Sequence, residues 1–264
     1  MNKIILMLKG FIIGLCKIIP GVSGSLVALN LGIYENLIYS ISNFFKDIKG
    51  NFTFLSTIGI GIFLSIIIGS NIISYFLNNH FFITMIVFIG LLIGSTINIL
   101  KNTKNKKEYI ITIITFILMF SLFFIKNDGQ YVYTNSLINN LYIILLGFID
   151  AATTIIPAVS GTAIFMILGS YNIYLLIFSN PLSNMKLTIL FFMGLFIGII
   201  LVSKLMNNLL QKKKEIIYPI INGFFLSSIL FLLIETLKKL ENNNVLIIFF
   251  AFFLSYKIGK LCNK

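Results

Sequence analysis

Long apolar runs dominate the chain, and short polar segments separate them. Six of the runs are uninterrupted and measure 18 to 25 residues. At a rise of about 1.5 Å per residue, each can cross a hydrocarbon core about 30 Å thick as a helix. The pattern therefore predicts six transmembrane helices, at 53–77, 81–100, 108–125, 186–208, 216–234 and 244–262.

Two further apolar segments, 4–39 and 139–177, are interrupted in the middle by the motif Pro-x-Val-Ser-Gly. The first copy lies in IIPGVSGSLVALNLGIY (18–34) and the second in IIPAVSGTAIFMILGSY (155–171). Proline lacks the amide hydrogen that a helix uses and clashes with the preceding turn, while glycine permits non-helical angles. Each segment is therefore predicted to form two short helices joined by a non-helical break.

The similarity between these segments extends beyond the motif. Residues 10–38 align without a gap to residues 147–175, with 12 identities in 29 positions. The same offset later pairs Gly61 with Gly198, and a slightly smaller one pairs GLLIGS at 90–95 with GFFLSS at 223–228. The chain is therefore predicted to consist of two homologous halves, 1–130 and 131–264, an arrangement typical of transporter folds.

Composition supports membrane insertion. Hydrophobic residues make up 58% of the chain and charged residues only 11%, against about 25% charged residues in soluble domains. The net charge of +12 comes from lysines that cluster in connecting segments such as KNTKNKK and QKKK. This placement is typical of cytoplasmic loops under the positive-inside rule and does not indicate a nucleic-acid partner.

Lysine placement also predicts the topology. If both broken segments are re-entrant hairpins that enter and leave on one side, 15 lysines lie on the side of the termini and four on the other. The predicted fold is an all-α polytopic membrane protein of two inverted repeats, with cytoplasmic termini. The first repeat contains the hairpin 4–39 and the helices at 53–77, 81–100 and 108–125, and the second contains the hairpin 139–177 and the helices at 186–208, 216–234 and 244–262.

The breaks are the candidate binding site. Non-helical backbone inside a bilayer is tolerated only within protein or beside a wet cavity. The second half-helix of each hairpin is expected to begin near a Ser-Gly pair, with hydroxyl residues as caps and with free N–H groups that favour an anion such as phosphate. The alternative is that proline and glycine only kink packed helices. The predicted substrate-binding residues are Lys17, Pro20, Gly21, Ser23, Gly24, Ser25, Pro157, Ser160, Gly161 and Thr162.

Three charged residues are candidates for coupling or pairing. Lys17 lies three residues before Pro20, where it could neutralise an anionic head or pair with Asp150, or else extend to the interface. Asp150 lies seven residues before Pro157. Glu35 could take part in coupling to a proton or sodium ion, or could simply lie at a helix end.

Nothing in the chain indicates catalysis. It has one histidine, no arginine and no cluster of carboxylates, so we expect no enzyme activity, catalytic residue, metal or cofactor. The two cysteines, Cys16 and Cys262, are far apart in sequence, and no disulfide is expected.

The stretches PGVSGS…LGIY and PAVSGT…LGSY resemble those of the polyprenyl-phosphate translocases (PopT-like), and the resemblance covers essentially the whole chain. It implies a flippase in a prokaryotic plasma membrane that returns undecaprenyl phosphate from the outer to the cytoplasmic leaflet, for recycling of the lipid carrier in cell-envelope synthesis. Lys17 replaces an acidic residue usual in that family, and Ala158 replaces a usual glycine.

Two other functions remain open from the residues alone. The same site could serve a carrier of small anions or organic phosphates. The protein could also be a structural membrane protein in which the breaks are packing devices. The oligomeric state cannot be predicted from the sequence, and membrane lipids are the only other expected partners.

Overall fold

The computed structural model describes residues 2–18, 23–100, 105–125, 131–159, 161–238 and 245–261. Every element in these ranges is helical, including a short 3₁₀ turn at Phe44–Lys46. The helices are α1 (Lys3–Ile18), α2 (Gly24–Asn30), α3 (Tyr34–Ser42), α4 (Ile48–Asn79), α5 (Phe81–Leu100), α6 (Lys106–Leu122), α7 (Leu137–Ile155), α8 (Gly161–Ile167), α9 (Tyr171–Ser179), α10 (Met185–Lys212), α11 (Lys214–Lys238) and α12 (Val245–Leu261).

Some predicted features lie outside this description. Pro20, Gly21 and Ser160 are not among the described residues, and neither are the side chains of Lys17 and Thr162. The predicted boundary between the halves, at 130/131, has its first-half side among undescribed residues.

Four helices in the described ranges are long and apolar enough to cross a membrane: Ile48–Gly69 within α4, and α7, α10 and α11 in full. The apolar part of α5 that qualifies is shorter, at Phe81–Gly94. Helices α6 and α12 have 17 residues each. Helix α7 belongs to the segment predicted as a hairpin, and it is nevertheless long enough to span.

Helices α1 and α4 pack closely because glycines line their contact. A Cβ at Gly10 would lie 2.4 Å from the carbonyl oxygen of Ile58, and one at Gly14 would lie 1.9 Å from the Ser65 hydroxyl. Backbones approach this closely only over small residues. The contacts advance in the same direction along both helices, so α1 and α4 run parallel. Helices α7 and α10 pack in the same way, with a Cβ at Gly194 only 1.8 Å from a backbone oxygen of α7.

The remaining long helices pair across the two halves. In the pair of α5 and α12, a Cβ at Gly90 would lie 2.0 Å from the Ser255 hydroxyl. In the pair of α6 and α11, the rings of Phe123 and Phe231 stack at 4.0 Å. The same two helices also approach closely at Gly223, where a Cβ would lie 2.0 Å from the Thr115 hydroxyl of α6. Each half therefore contributes one helix to each pair, and the halves interlock.

Candidate functional site

Both predicted helix breaks are present. Helix α1 ends at Ile18 and α2 begins at Gly24, while α7 ends at Ile155 and α8 begins at Gly161. Both half-helices have seven residues and both start at the glycine of the Ser-Gly pair. The sequence therefore located the start of each half-helix correctly.

At the first break, Ser23 occupies the N-cap position of α2 with an extended backbone (φ −87°, ψ 124°). Its hydroxyl forms no capping bond to the helix and instead lies 2.8 Å from the Ser25 hydroxyl. The expected position of the cap is confirmed, but the expected capping bond is not present. The amide groups of the first turn are therefore not bonded by the Ser23 side chain.

The carbonyl groups of the second break accept hydrogen bonds from hydroxyl groups on other helices. The Tyr34 hydroxyl donates to the Ile155 carbonyl at 2.9 Å, and Ser25 donates to the Ile156 carbonyl at 3.4 Å. Ser228 donates to the Ala158 carbonyl at 2.9 Å. A helix that stops inside a protein leaves its last carbonyls without their usual partners. These hydroxyls provide partners, and two of the three belong to the first half.

The helices that follow the first break, α2 and α3, therefore contact the second break. Besides the hydrogen bonds of Ser25 and Tyr34, Leu26 of α2 is buried in one apolar cluster with Ala158 of the second break and Phe225 of α11. Pro157, beside Ala158, is also buried. The predicted binding residues Ser25 and Pro157 are thus brought to one place, although 132 positions separate them in the chain.

Gly161, the first residue of α8, faces a polar part of α7. A Cβ at Gly161 would lie 2.7 Å from the Thr153 hydroxyl and 3.7 Å from a carboxylate oxygen of Asp150. A carboxylate near a helix N-terminus is favourable because of the helix dipole. Asp150 therefore lies close to the start of α8 in its own half.

The predicted pairing of Lys17 with Asp150 stays a prediction because the Lys17 side chain is not described. Its backbone lies in the last turn of α1, where a cation is favoured by the helix dipole. Another lysine of the same helix has a defined role: Lys9 donates to the Leu31 carbonyl at 2.7 Å, so the chain after α2 lies beside the middle of α1.

Glu35 belongs to a polar cluster between the halves. Its carboxylate accepts two bonds from the Lys214 ammonium, at 2.8 and 2.9 Å, and one from the Tyr218 hydroxyl. Burial alone would raise the pKa of Glu35, but the hydrogen bonds from Lys214 and Tyr218 outweigh that effect and hold the pKa below its usual value. Glu35 is therefore a pairing residue in this structure, and these three residues are called the Glu35 cluster below.

The Leu-Gly-x-Tyr ends of the two motifs form the same local structure. Gly32 and Gly169 have φ values of +68° and +66°. In each case the residue after the glycine bonds back five positions, from Ile33 to Ala28 and from Ser170 to Phe165. This is the Schellman arrangement that ends a helix, and it needs a residue that tolerates positive φ. The following tyrosine then begins α3 or α9.

The sequence analysis missed several residues that hold this region together. Lys214 was taken only as part of a basic loop, and Tyr218 carried no signal. Tyr34 was considered only as a residue that both motif stretches share. Ser228 was considered only as the last residue of GFFLSS (223–228), which aligns with GLLIGS (90–95). Among the described residues, no group of three or more His, Cys, Asp or Glu side chains could hold a metal ion.

These observations define a class: a helical membrane protein whose two interlocked halves place a pair of broken helices in contact. The profile of the undecaprenyl phosphate translocase-like family matches residues 13–248, and the chain belongs to that family. The resemblance noted in the sequence is thereby confirmed.

Two relatives carry the name polyprenyl-phosphate transporter. One, from Vibrio cholerae serotype O1, is 27% identical over 241 residues, which cover 82% of this chain and 73% of the relative. The other, from Staphylococcus aureus, is 28% identical over 232 residues, which cover 83% of this chain and 82% of the relative. No solved structure matches the chain.

Proposed function

We propose that this protein moves undecaprenyl phosphate, or a similar polyprenyl phosphate, from the outer to the cytoplasmic leaflet of a prokaryotic plasma membrane. That movement would support recycling of the lipid carrier for cell-envelope synthesis. Family membership and the names of the two relatives support a polyprenyl phosphate as the substrate. The absence of a catalytic constellation in the sequence is consistent with transport without chemistry.

The observation that carries the proposal is the contact between α2 and the second break. Ser25, next to the start of α2, bonds to the backbone beside Pro157. We place the phosphate between the starts of α2 and α8, because helix N-termini attract anions and the Ser23 side chain does not cap the first amides of α2. Lys17, at the end of α1, would add a positive charge. The isoprenoid tail would remain in the bilayer.

We further infer that the halves are inverted repeats whose first segments are re-entrant hairpins. Lys3 and Leu6 of α1 line one groove together with Asp47 and Gly50 at the start of α4. Because α1 and α4 are parallel and begin at the same end, the chain between them must return to its starting side. Lysine distribution assigns that side to the cytoplasm.

The test uses proteoliposomes that contain undecaprenyl phosphate and an impermeant phosphatase added outside. With the wild-type protein, lipid from both leaflets should be dephosphorylated, because molecules inserted with their cytoplasmic side outward carry inner-leaflet lipid to the outer surface. The double variant Pro20→Ala/Pro157→Ala and the variant Ser25→Ala should leave most of the inner-leaflet lipid intact. Ser121→Ala is the matched control, since that hydroxyl donates to the Leu118 carbonyl of its own helix α6. Cleavage limited to the outer leaflet with the wild-type protein would overturn the proposal.

The same vesicles separate the other functions. Uptake of inorganic phosphate or glycerol phosphate without lipid movement would indicate a small-anion carrier. Release of phosphate from a prenyl pyrophosphate would indicate an enzyme. A protein that moves none of these substrates would fit a structural role.

A further inference from the structure

The two halves carry equivalent tyrosine hydroxyl groups that form different contacts. Tyr34 and Tyr171 occupy equivalent positions, as do the helix ends at Ile155 and Ile18. The Tyr34 hydroxyl is buried and donates to Ile155 in the other half. The Tyr171 hydroxyl makes no hydrogen bond with a described residue, and its ring packs near Tyr174 of its own half.

Apolar packing likewise joins α3, but not α9, to the opposite half. Tyr34 and Ile38 of α3 belong to a buried cluster with Val202, Met206 and Ile217 of the second half. Among the described residues, the buried cluster around α9 consists of second-half residues: Ile143, Leu146, Phe165, Ile173, Ile177, Leu187 and Phe191. The halves are therefore joined around α3 through contacts that α9 does not form. The region where α3 meets α7, α10 and α11 is called the α3 interface.

We propose that the protein has a second state in which this arrangement is exchanged between the halves. In that state the Tyr171 hydroxyl donates to the Ile18 carbonyl, and the bond from Tyr34 to Ile155 is broken. The inference rests on the proposed transport function and specifies how one end of the site closes as the other opens. Two packings that differ by the exchange of equivalent contacts suit a carrier built from repeats.

The Glu35 cluster favours the present state. By the alignment of the halves, and of α5 with α11, the counterparts of Glu35, Lys214 and Tyr218 are Asn172, Phe81 and Met85. None of these counterparts can form an ion pair. The Glu35 cluster therefore stabilises the α3 interface of the present state but has no equivalent that would stabilise the contacts of α9 in the second state. Removing the Glu35 charge should raise the population of the second state.

The test measures distances between spin labels in the full-length protein, with Cys16 and Cys262 replaced by alanine. One pair, Ser42→Cys and Lys212→Cys, reports on the last residues of α3 and α10. The other pair, Ser179→Cys and Asn79→Cys, reports on the equivalent ends of α9 and α4. Because no lipid has to move, this measurement is independent of the transport assay.

Glu35→Gln should lengthen the first distance and shorten the second. The ratio of the two states should change about 1.5- to 5-fold, because the lost ion pair is partly exposed. Tyr34→Phe should act in the same direction by about tenfold. Adding Tyr171→Phe to Glu35→Gln should reverse the shift. Glu235→Gln is the matched control, because its pair with Lys238 lies within α11 alone.

Distances that stay fixed in Glu35→Gln and Tyr34→Phe, or that change in the same sense at both ends, would overturn the exchange. A reversal by Tyr171→Phe would support it. If the distances exchange but the wild-type protein moves no polyprenyl phosphate in vesicles, the second state stands and the proposed substrate is wrong.

Discussion

Helices α3 and α9 follow the same motif and yet pack against different parts of the molecule. Each starts at the tyrosine of Leu-Gly-x-Tyr, after a glycine with positive φ. Helix α3 packs on the opposite half, where its tyrosine hydroxyl bonds to the second break. Helix α9 packs within its own half, in an aromatic cluster. The same motif therefore forms the same turn in both halves, but the helices that follow it pack against different parts of the protein.

The residues that differ between the halves explain the difference. Phe165 of α8 is fully buried and stacks on Tyr174 at 4.6 Å, while its counterpart in α2 is the small residue Ala28, also buried. The large ring fills the space between α8, α9 and α10 with second-half atoms. The small Ala28 leaves room for side chains from the other half. Motifs therefore determine the turns, and the residues between the motifs determine which surfaces meet.

The largest expected effect comes from removing the ring that holds α9 to its own half. Phe165→Ala should lower the free energy of unfolding by about 3–5 kcal/mol, because a fully buried ring leaves a cavity. Thermal unfolding in detergent measures the loss. Phe249→Ala is the control, since Phe249 is 69% exposed in this monomer and should change stability little. A similar loss in both variants would mean that the α9 cluster does not hold the second hairpin.

A smaller effect is expected from replacing the glycine with positive φ, which both Leu-Gly-x-Tyr motifs contain. Gly32→Ala should destabilise the protein by about 1–2 kcal/mol, because an L-residue is strained at positive φ. A Cβ there would meet no atom of a residue beyond its chain neighbours within 4 Å, so clash with the rest of the protein contributes nothing. Gly59 of α4 has equally open surroundings and is helical. Gly59→Ala should therefore be neutral or slightly stabilising, and equal losses at both positions would contradict the role of φ.

The sequence could predict the local part of this architecture. Proline, glycine and hydroxyl residues determine where a helix ends and the next begins, and those signals are short-range, so both half-helix starts were located correctly. The bond from Tyr34 to Ile155 and the Glu35 cluster join residues more than 100 positions apart. No local pattern encodes such a contact, because it depends on how the long helices pair. Helix lengths were also underestimated at polar ends, as in α10, which continues to Lys212.

The smallest expected effect concerns the backbone of the two breaks. Ala158 has a φ of +65°, while the equivalent position in the first break is a glycine. Replacing Ala158 by glycine should relieve about 1–2 kcal/mol of strain. It should also cost about 0.5–1 kcal/mol of backbone entropy and about 0.8 kcal/mol for the buried methyl group.

These terms nearly cancel, so the free energy of unfolding of Ala158→Gly should be within about 1 kcal/mol of that of the wild type. Ala158→Val adds a β-branched side chain at the same positive φ, where strain is greater, and should be clearly less stable than either. Thermal unfolding of the three proteins in detergent tests this order. If valine were tolerated as well as glycine, the conformation at the second break would not be the one that brings the Ala158 carbonyl to Ser228 of α11.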